Sequence, residues 1–204
     1  MSADPDKPRF PRAIALEVAE ELHSYLAPYC ERIAIVGSVR RGKEMVGDLE
    51  LLYTSKLVQR TDPGSLFGDK IAVLAAHGKL DELVKARIIL PRPKSDGTKT
   101  WGNAIRLAAH CQTVLPVDFF RATPESWWNL MVCRTGGAAT NMRIATKARE
   151  LGLQWNPSIN SSGFTRLGTR GGEGKGGRVE IKSRSEEDVF NAVGMPFLPP
   201  WRRE

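Results

Sequence analysis

Asp48 and Glu50 stand two residues apart at the opening of an apolar run that continues through Leu51 and Leu52. In a strand, residues i and i+2 project from one face. Two carboxylates therefore leave the same side of one strand, and paired hard oxygen donors are ligands for a divalent cation. Ahead of them, Ile33-Ala34-Ile35-Val36 reads as a buried strand, broken by Gly37-Ser38 and followed by Arg40 and Arg41. A Gly-Ser turn and two arginines are groups that receive phosphate oxygens. The combination points to a site for a divalent metal and a triphosphate.

Two motif readings compete for this stretch. Gly37-x-x-x-x-Gly42-Lys43 after a strand nearly spells a P-loop, but the next residue is Glu44 where a magnesium-binding hydroxyl belongs. A carboxylate cannot replace that hydroxyl in a loop packed around phosphates. The other reading uses more residues. Gly37-Ser38-x-Arg40-Arg41-Gly42, then Gly47-Asp48-x-Glu50, resembles the nucleotidyltransferase signature and, in its finer form, the X-family DNA polymerases, of which DNA polymerase beta is the familiar member.

The chain has 204 residues, enough for one large or two small domains with a real core. Its formal charge of +7 and isoelectric point near 9.5 favour a polyanionic partner. Cys30, Cys111 and Cys133 form no CxxC or zinc pattern, which favours a reduced, intracellular setting over a disulfide scaffold. No apolar run approaches the roughly 18 residues of a membrane span, and the N-terminus lacks a signal-peptide core. The expected place is the cytoplasm or nucleoid, with no membrane partner; a virus-encoded origin is also open.

In chain order, residues 1–11 read as a loose arm. Ala13, Ile14, Leu16, Val18, Ala19, Leu22 and Leu26 recur at helical spacing up to Pro28. Strands are expected at 32–36 and 49–54, a loop at 56–68, a helix at 71–84 with a break near Gly78, and a strand at 87–90. The segment from Pro91 to Thr100 is a basic turn, either a plain hairpin loop or a surface facing nucleic acid. Residues 104–109 and 113–120 read as a hairpin. Its second strand places Asp118 among Val117, Phe119 and Phe120. A lone carboxylate there is costly unless it is paired or bound to metal, or lies at the surface.

Beyond it, a helix is expected over 124–131, with Trp127 and Trp128 as core, and a second helix running to Leu151 with Gly152 as its cap. Leu153–Asn156 and Val179–Lys182 are strand-like. Gly172-x-Gly174-x-x-Gly177 mimics a dinucleotide fingerprint, but no helix follows it, so a hairpin tip is the better reading. Ser185-Glu-Glu-Asp188 opens a short capped helix.

Two further matches extend the resemblance. Thr135-Gly136 followed by Asn141 is similar to the segment opening the last subdomain of X-family polymerases, and the ending Gly194-Met-Pro196-Phe197 with prolines and arginines is similar to their closing segment. The resemblance implies an α+β fold: a catalytic palm over 12–123, with a mixed or antiparallel sheet and helices on one face, and a small α/β subdomain over 124–204. It omits helix-hairpin-helix modules and a lyase domain, for which the first helix begins too early. The nearest architecture is the reduced, two-part polymerase of some viruses.

The resemblance further implies roles. Asp118 joins Asp48 and Glu50 as the third catalytic acid, and the three hold two Mg2+ ions, with Mn2+ a substitute. Glu50 departs from the aspartate usual in the polymerases. Gly37, Ser38, Arg41, Gly47, Cys133, Arg134, Thr135, Gly136 and Asn141 meet the nucleotide, and Cys133 and Arg134 stand where aromatic residues are common. DNA contacts are expected from Arg40, Lys43, Lys94, Lys99, Arg143, Arg166, Arg170 and Lys175, with Ala145 replacing an arginine of many relatives. The implied function is DNA-directed DNA synthesis by a monomer that fills short gaps in repair, using dNTPs and, with a small Cys133, also rNTPs. Two other classes stay open: a nucleotidyltransferase acting on an RNA end, a protein or a small molecule, and a non-catalytic nucleic-acid binder.

Overall fold

A computed structural model describes residues 8–94, 96–98, 100–166 and 179–204. In chain order these form β1 (Phe10–Pro11), α1 (Arg12–Leu26), β2 (Cys30–Val36), α2 (Gly37–Arg40), β3 (Met45–Val46), β4 (Leu49–Ser55), β5 (Leu57–Thr61), β6 (Lys70–Leu74), α3 (Ala75–Lys85), β7 (Ile89–Pro91), β8 (Ile105–His110) and β9 (Pro116–Arg121). There follow α4 (Trp127–Thr135), α5 (Ala138–Glu150), β10 (Leu153–Trp155), β11 (Gly163–Arg166), β12 (Val179–Lys182) and α6 (Glu186–Asn191). Contacts divide the chain into one unit of Met1–Ile35 with Met45–Arg121, and another of Val36–Glu44 with Ala122–Glu204. The fold is α+β, with a five-stranded mixed sheet.

That sheet runs β2-β4-β9-β8-β7. β4 and β9 are parallel; β8 is antiparallel to both β9 and β7. Alternation along β4 sorts its side chains. Leu49, Leu51 and Tyr53 are fully buried on one side, where the Tyr53 ring meets His77 of α3 edge-on. Glu50 projects from the other side. α1 and α3 pack on each other and on β4. The buried stripe of α1 is Ala15, Val18, Ala19, Leu22 and Leu26, at helical spacing, and Pro28 then ends the run.

The segment 56–84 departs from the sequence reading. Leu57–Thr61 and Lys70–Leu74 pair as an antiparallel hairpin around the turn at Asp62-Pro-Gly64, and the helix starts only at Ala75. Apolar residues 71 to 74 satisfy either period over so short a window; pairing with β5 decided it. Nor does Gly78 break α3, because a helix tolerates one glycine at a cost of about 1 kcal/mol. At the start of this helix, the Ser55 hydroxyl accepts the Ala76 N–H at 3.0 Å. The loose arm ends sooner than expected, since Phe10 and Pro11 pair with Val46 and Met45.

The second unit carries its own core of Val132, Ile144, Ala148, Leu153, Phe164, Val189, Phe190, Val193 and Met195. Thr140, Ile144 and Ala148 put one face of α5 into it, while Met142, Arg143 and Lys147 stay exposed. Its sheet, β10-β11-β12, is wholly antiparallel, and helices α4, α5 and α6 complete the unit. Ser126 precedes α4 and exchanges hydrogen bonds with Thr123, and the Ser185 hydroxyl accepts the Asp188 N–H at α6. Among the described residues, no helix is long and apolar enough to cross a membrane.

Phe164 is fully buried and stacks on Trp155, with ring centroids 6.3 Å apart. Phe164→Ala should cost about 3–5 kcal/mol through lost burial and the cavity left behind. Urea denaturation followed by tryptophan fluorescence should show a lower midpoint; an unchanged midpoint would remove Phe164 from the core.

Candidate nucleotidyl-transfer site

In the first unit, the parallel pairing of β4 and β9 sets Glu50 directly opposite Asp118. Paired residues on neighbouring strands point to one face, with backbones about 4.8 Å apart. Asp48, two residues before Glu50, precedes the strand. All three carboxylates are partly exposed. Thus two acids 68 residues apart in sequence share one sheet face, and Asp48 lies just ahead of the first strand. The Asp118 carboxylate also pairs with Arg92, through Nη2 to Oδ1. Among the described residues, no three carboxylate, imidazole or thiol side chains converge as a metal-holding group. The donor set nevertheless fits the expected ion, because three carboxylates without thiolate or imidazole suit a hard cation such as Mg2+. At Gly47, a Cβ would meet nothing within 4 Å, so its surroundings are open.

The Gly-Ser-x-Arg-Arg segment belongs by its contacts to the second unit. It was expected among residues 12–123; the reason for its place is the chemistry of its arginines. Arg40 makes a two-pronged ion pair with Glu186, at 2.8 and 2.7 Å, and its Nη1 also donates to the Thr135 hydroxyl at 2.6 Å. Arg41 donates from Nη1 to the Thr135 carbonyl. The last turn of α4 therefore gathers both arginines. Eight residues on, Asn141 returns to the same turn and donates from Nδ2 to the Cys133 carbonyl at 2.8 Å. Gly136 ends the helix at φ +67°, and its missing Cβ would lie 3.0 Å from the Arg41 guanidinium. Gly137 has no room for a side chain: a Cβ would fall 2.0 Å from the Glu204 backbone, which accepts the Thr140 N–H at 2.6 Å.

Ser38 Oγ and Asn141 Oδ1 in this cluster are buried without a hydrogen bond among the described residues. Buried polar groups in folded proteins are almost always paired, so each orphan points to a ligand or ordered water. The Gly37 turn runs into a helix of only four residues. A P-loop needs a longer helix behind its glycines, and that reading ends here.

The remaining sequence assignments fall as follows. Gly37, Ser38, Cys133, Arg134, Thr135 and Asn141 lie on α2, the α4 end and α5, with Arg41 and Gly136 capping α2 and α4, all within one unit. Lys43, Lys94, Arg143 and Arg166 are exposed. Arg40, expected on DNA, is instead bound to Glu186 and Thr135, and its guanidinium serves the interior of the unit. Lys99, Arg170, Lys175 and the Gly172–Gly177 pattern lie outside the described residues.

Sequence reasoning missed three residues. Arg92 was one cation in a basic turn, and only the strand order shows what it reaches. Glu186 was one acid in a capped helix start, indistinguishable from Glu187. It is buried and bridges Arg40 to Arg203, whose Nη1 lies 2.8 Å away. Arg203 is itself fully buried, with its guanidinium over the rings of Phe190 and Phe197 at 5.1 and 5.5 Å.

Residues 130–204 match the family model of the DNA polymerase beta thumb, from within α4 through the Thr135-Gly136 turn, α5, the three-stranded sheet and α6. Over these residues the C-terminal part of the chain is similar to the thumb of DNA polymerase beta. No curated protein matches the chain.

Burial of Glu186 opposes its charged form, but hydrogen bonds and charge from Arg40 and Arg203 outweigh this and hold its carboxyl below the ordinary 4.5. A carboxyl lowered by folding stabilises the fold fully above its unfolded value and loses that contribution as pH falls through the folded one. Glu186→Gln should therefore destabilise the protein at pH 7, by about 3 kcal/mol, because the buried Arg203 and the partly buried Arg40 lose their counter-charge. Below pH 4.5 the gap between variant and parent should narrow. Thermal denaturation from pH 3 to 8 checks this; a gap independent of pH would contradict it.

Proposed function

We propose that the chain, X-family DNA polymerase-like in its C-terminal unit, is a DNA-directed DNA polymerase that adds nucleotides to a primer 3′-hydroxyl and fills short gaps. The observation that carries the proposal is the register that sets Asp118 opposite Glu50, one strand over from the Asp48-x-Glu50 motif. A protein that only bound DNA would gain nothing from carboxylates gathered on one face, since they repel phosphates.

Asp48, Glu50 and Asp118 would hold Mg2+. Bound there, the ion supplies positive charge for the triphosphate and lowers the pKa of a hydroxyl nucleophile. The Asp118 carboxylate accepts a hydrogen bond from the primer 3′-hydroxyl and is the group placed to take its proton. Ser38 Oγ, orphaned and buried, donates to an outer phosphate oxygen, and Arg41 offsets the charge that develops on departing pyrophosphate. Thr135 keeps Arg41 in place through its carbonyl. Asn141, held at Nδ2 by the Cys133 carbonyl, keeps Oδ1 available for the nucleotide. A polymerase thumb implies DNA as partner, and the net charge of +7 agrees with it.

Asp48→Ala, Glu50→Ala and Asp118→Ala should each abolish primer extension while DNA binding persists. Loss of one carboxylate should cost about 4 kcal/mol in the transition state, roughly a thousandfold in rate. Extension of a primer with and without a template strand tests the function itself; incorporation that ignores the template would turn the reading toward a different acceptor. Near-normal extension by the Asp118 variant would remove that residue from the site.

Cys133 and Arg134 sit at the end of α4, beside the Asn141 contact. A thiol is far smaller than an aromatic ring and leaves room at the sugar's 2′ side. We expect kcat/KM for dGTP over GTP, opposite a template cytosine, to fall short of the roughly thousandfold that steric exclusion can provide, and Cys133→Tyr to raise it. A parent preference well above about a thousandfold, unchanged by tyrosine, would overturn this.

A further inference from the structure

Arg92 follows directly on β7, whose Pro91 pairs with Ala108 of β8. Its backbone N–H donates to the Leu107 carbonyl at 3.0 Å, and its Nε–H donates to the Ala108 carbonyl at 3.0 Å. Leu107 is the residue opposite Asp118 across the β8–β9 pairing. The residue therefore reaches across a whole strand, held on that strand's backbone once by its own N–H and once by Nε–H, and delivers Nη2 to Asp118 Oδ1. Two backbone anchors fix the direction of the guanidinium independently of neighbouring side chains.

The electrostatic setting gives this contact a purpose. Asp118 and Glu50 share one face with Asp48 close in sequence, and like charges a few ångströms apart destabilise one another. One guanidinium offsets part of that repulsion and holds Oδ1 of Asp118. Arg92 also has somewhere else to go: its side chain is 30% exposed, and it lines a cavity of about 500 Å³ with Pro91, Pro93, Gly97, Thr100 and Trp101.

We propose that Arg92 is a positioning residue that stands in for a divalent cation at Asp118, so that the cation binds in competition with its guanidinium. The proposal rests on the reading of Asp48, Glu50 and Asp118 as the cation-holding carboxylates. A cation arriving at that face must take Asp118 Oδ1 from Arg92, whose charge it also repels. The guanidinium then turns into the cavity beside Trp101. Arg92 thus weakens cation binding while keeping the carboxylate ionised and aimed.

The test is direct Mn2+ binding to the full chain without DNA or nucleotide, read by the loss of the free-ion EPR signal. Four proteins are needed: the parent, Arg92→Gln, Asp118→Asn and the double variant. Arg92→Gln should bind Mn2+ about three- to tenfold more tightly than the parent, Asp118→Asn should bind it more weakly, and Arg92→Gln should have no effect on the Asp118→Asn background. Arg92→Lys, which keeps the charge but loses the fork, should fall between parent and Arg92→Gln. If Asp118→Asn weakens binding but Arg92→Gln matches the parent or binds less, the competition is refuted and the carboxylate site stands. If Asp118→Asn binds Mn2+ like the parent, the carboxylate site is refuted and the proposal with it.

Discussion

Two carboxylates on adjacent parallel strands in direct register are an electrostatic liability, and the first unit is arranged around tolerating it. Glu50 and Asp118 could each have been placed on the opposite side of the sheet by a one-residue slip, since strand side chains alternate. They are not, because the other side is committed to apolar packing: Leu49, Leu51, Val117 and Phe119 are all fully buried. The hydrophobic pattern fixes the register, and the register forces the acids together. Arg92, reaching over β8, pairs with Asp118 and offsets part of that repulsion.

The second unit solves the reverse problem. Two arginines, Arg40 and Arg203, are drawn inward, and one carboxylate serves both. Glu186 accepts from Arg40 on both oxygens, while Arg203 is covered by two phenylalanine rings. A buried ion network of this kind contributes less to stability than to specificity: removing one member leaves the others charged and unpaired. It joins α2, the end of α4, α6 and the segment at Arg203. Those are the elements that carry or support Ser38, Arg41 and Asn141.

Much of this was legible in the sequence, for identifiable reasons. The carboxylate pair Asp48 and Glu50 was readable because strand alternation is local. Asp118 was readable as an anomaly, a charge among Val117, Phe119 and Phe120, though its partner across the sheet was not. The hairpin at 57–74 was misread because four apolar residues in a row suit helix or strand equally, and only pairing separates them. Arg92 and Glu186 were invisible for a different reason. Their meaning comes entirely from residues 26 and 146 positions away, Asp118 for the first and Arg40 for the second. Sequence composition marks such residues only as surface charge.

The motif from Gly37 to Glu50 is contiguous in sequence but divided in structure. Its first part, through Glu44, packs with the C-terminal unit; its carboxylates belong to the five-stranded sheet. The division follows from side-chain chemistry. Arg40 and Arg41 can satisfy five-donor guanidinium groups only where a carboxylate and a helix end offer acceptors, and α4 and Glu186 do so. Glu50 belongs to the sheet where its neighbour across the strands, Asp118, is paired with Arg92. Perturbing Glu186 therefore acts on the arginine part of the motif, and perturbing Arg92 acts on the carboxylate part. One short signature is supported by two ion networks, Glu186 with Arg40 and Arg203, and Asp118 with Arg92.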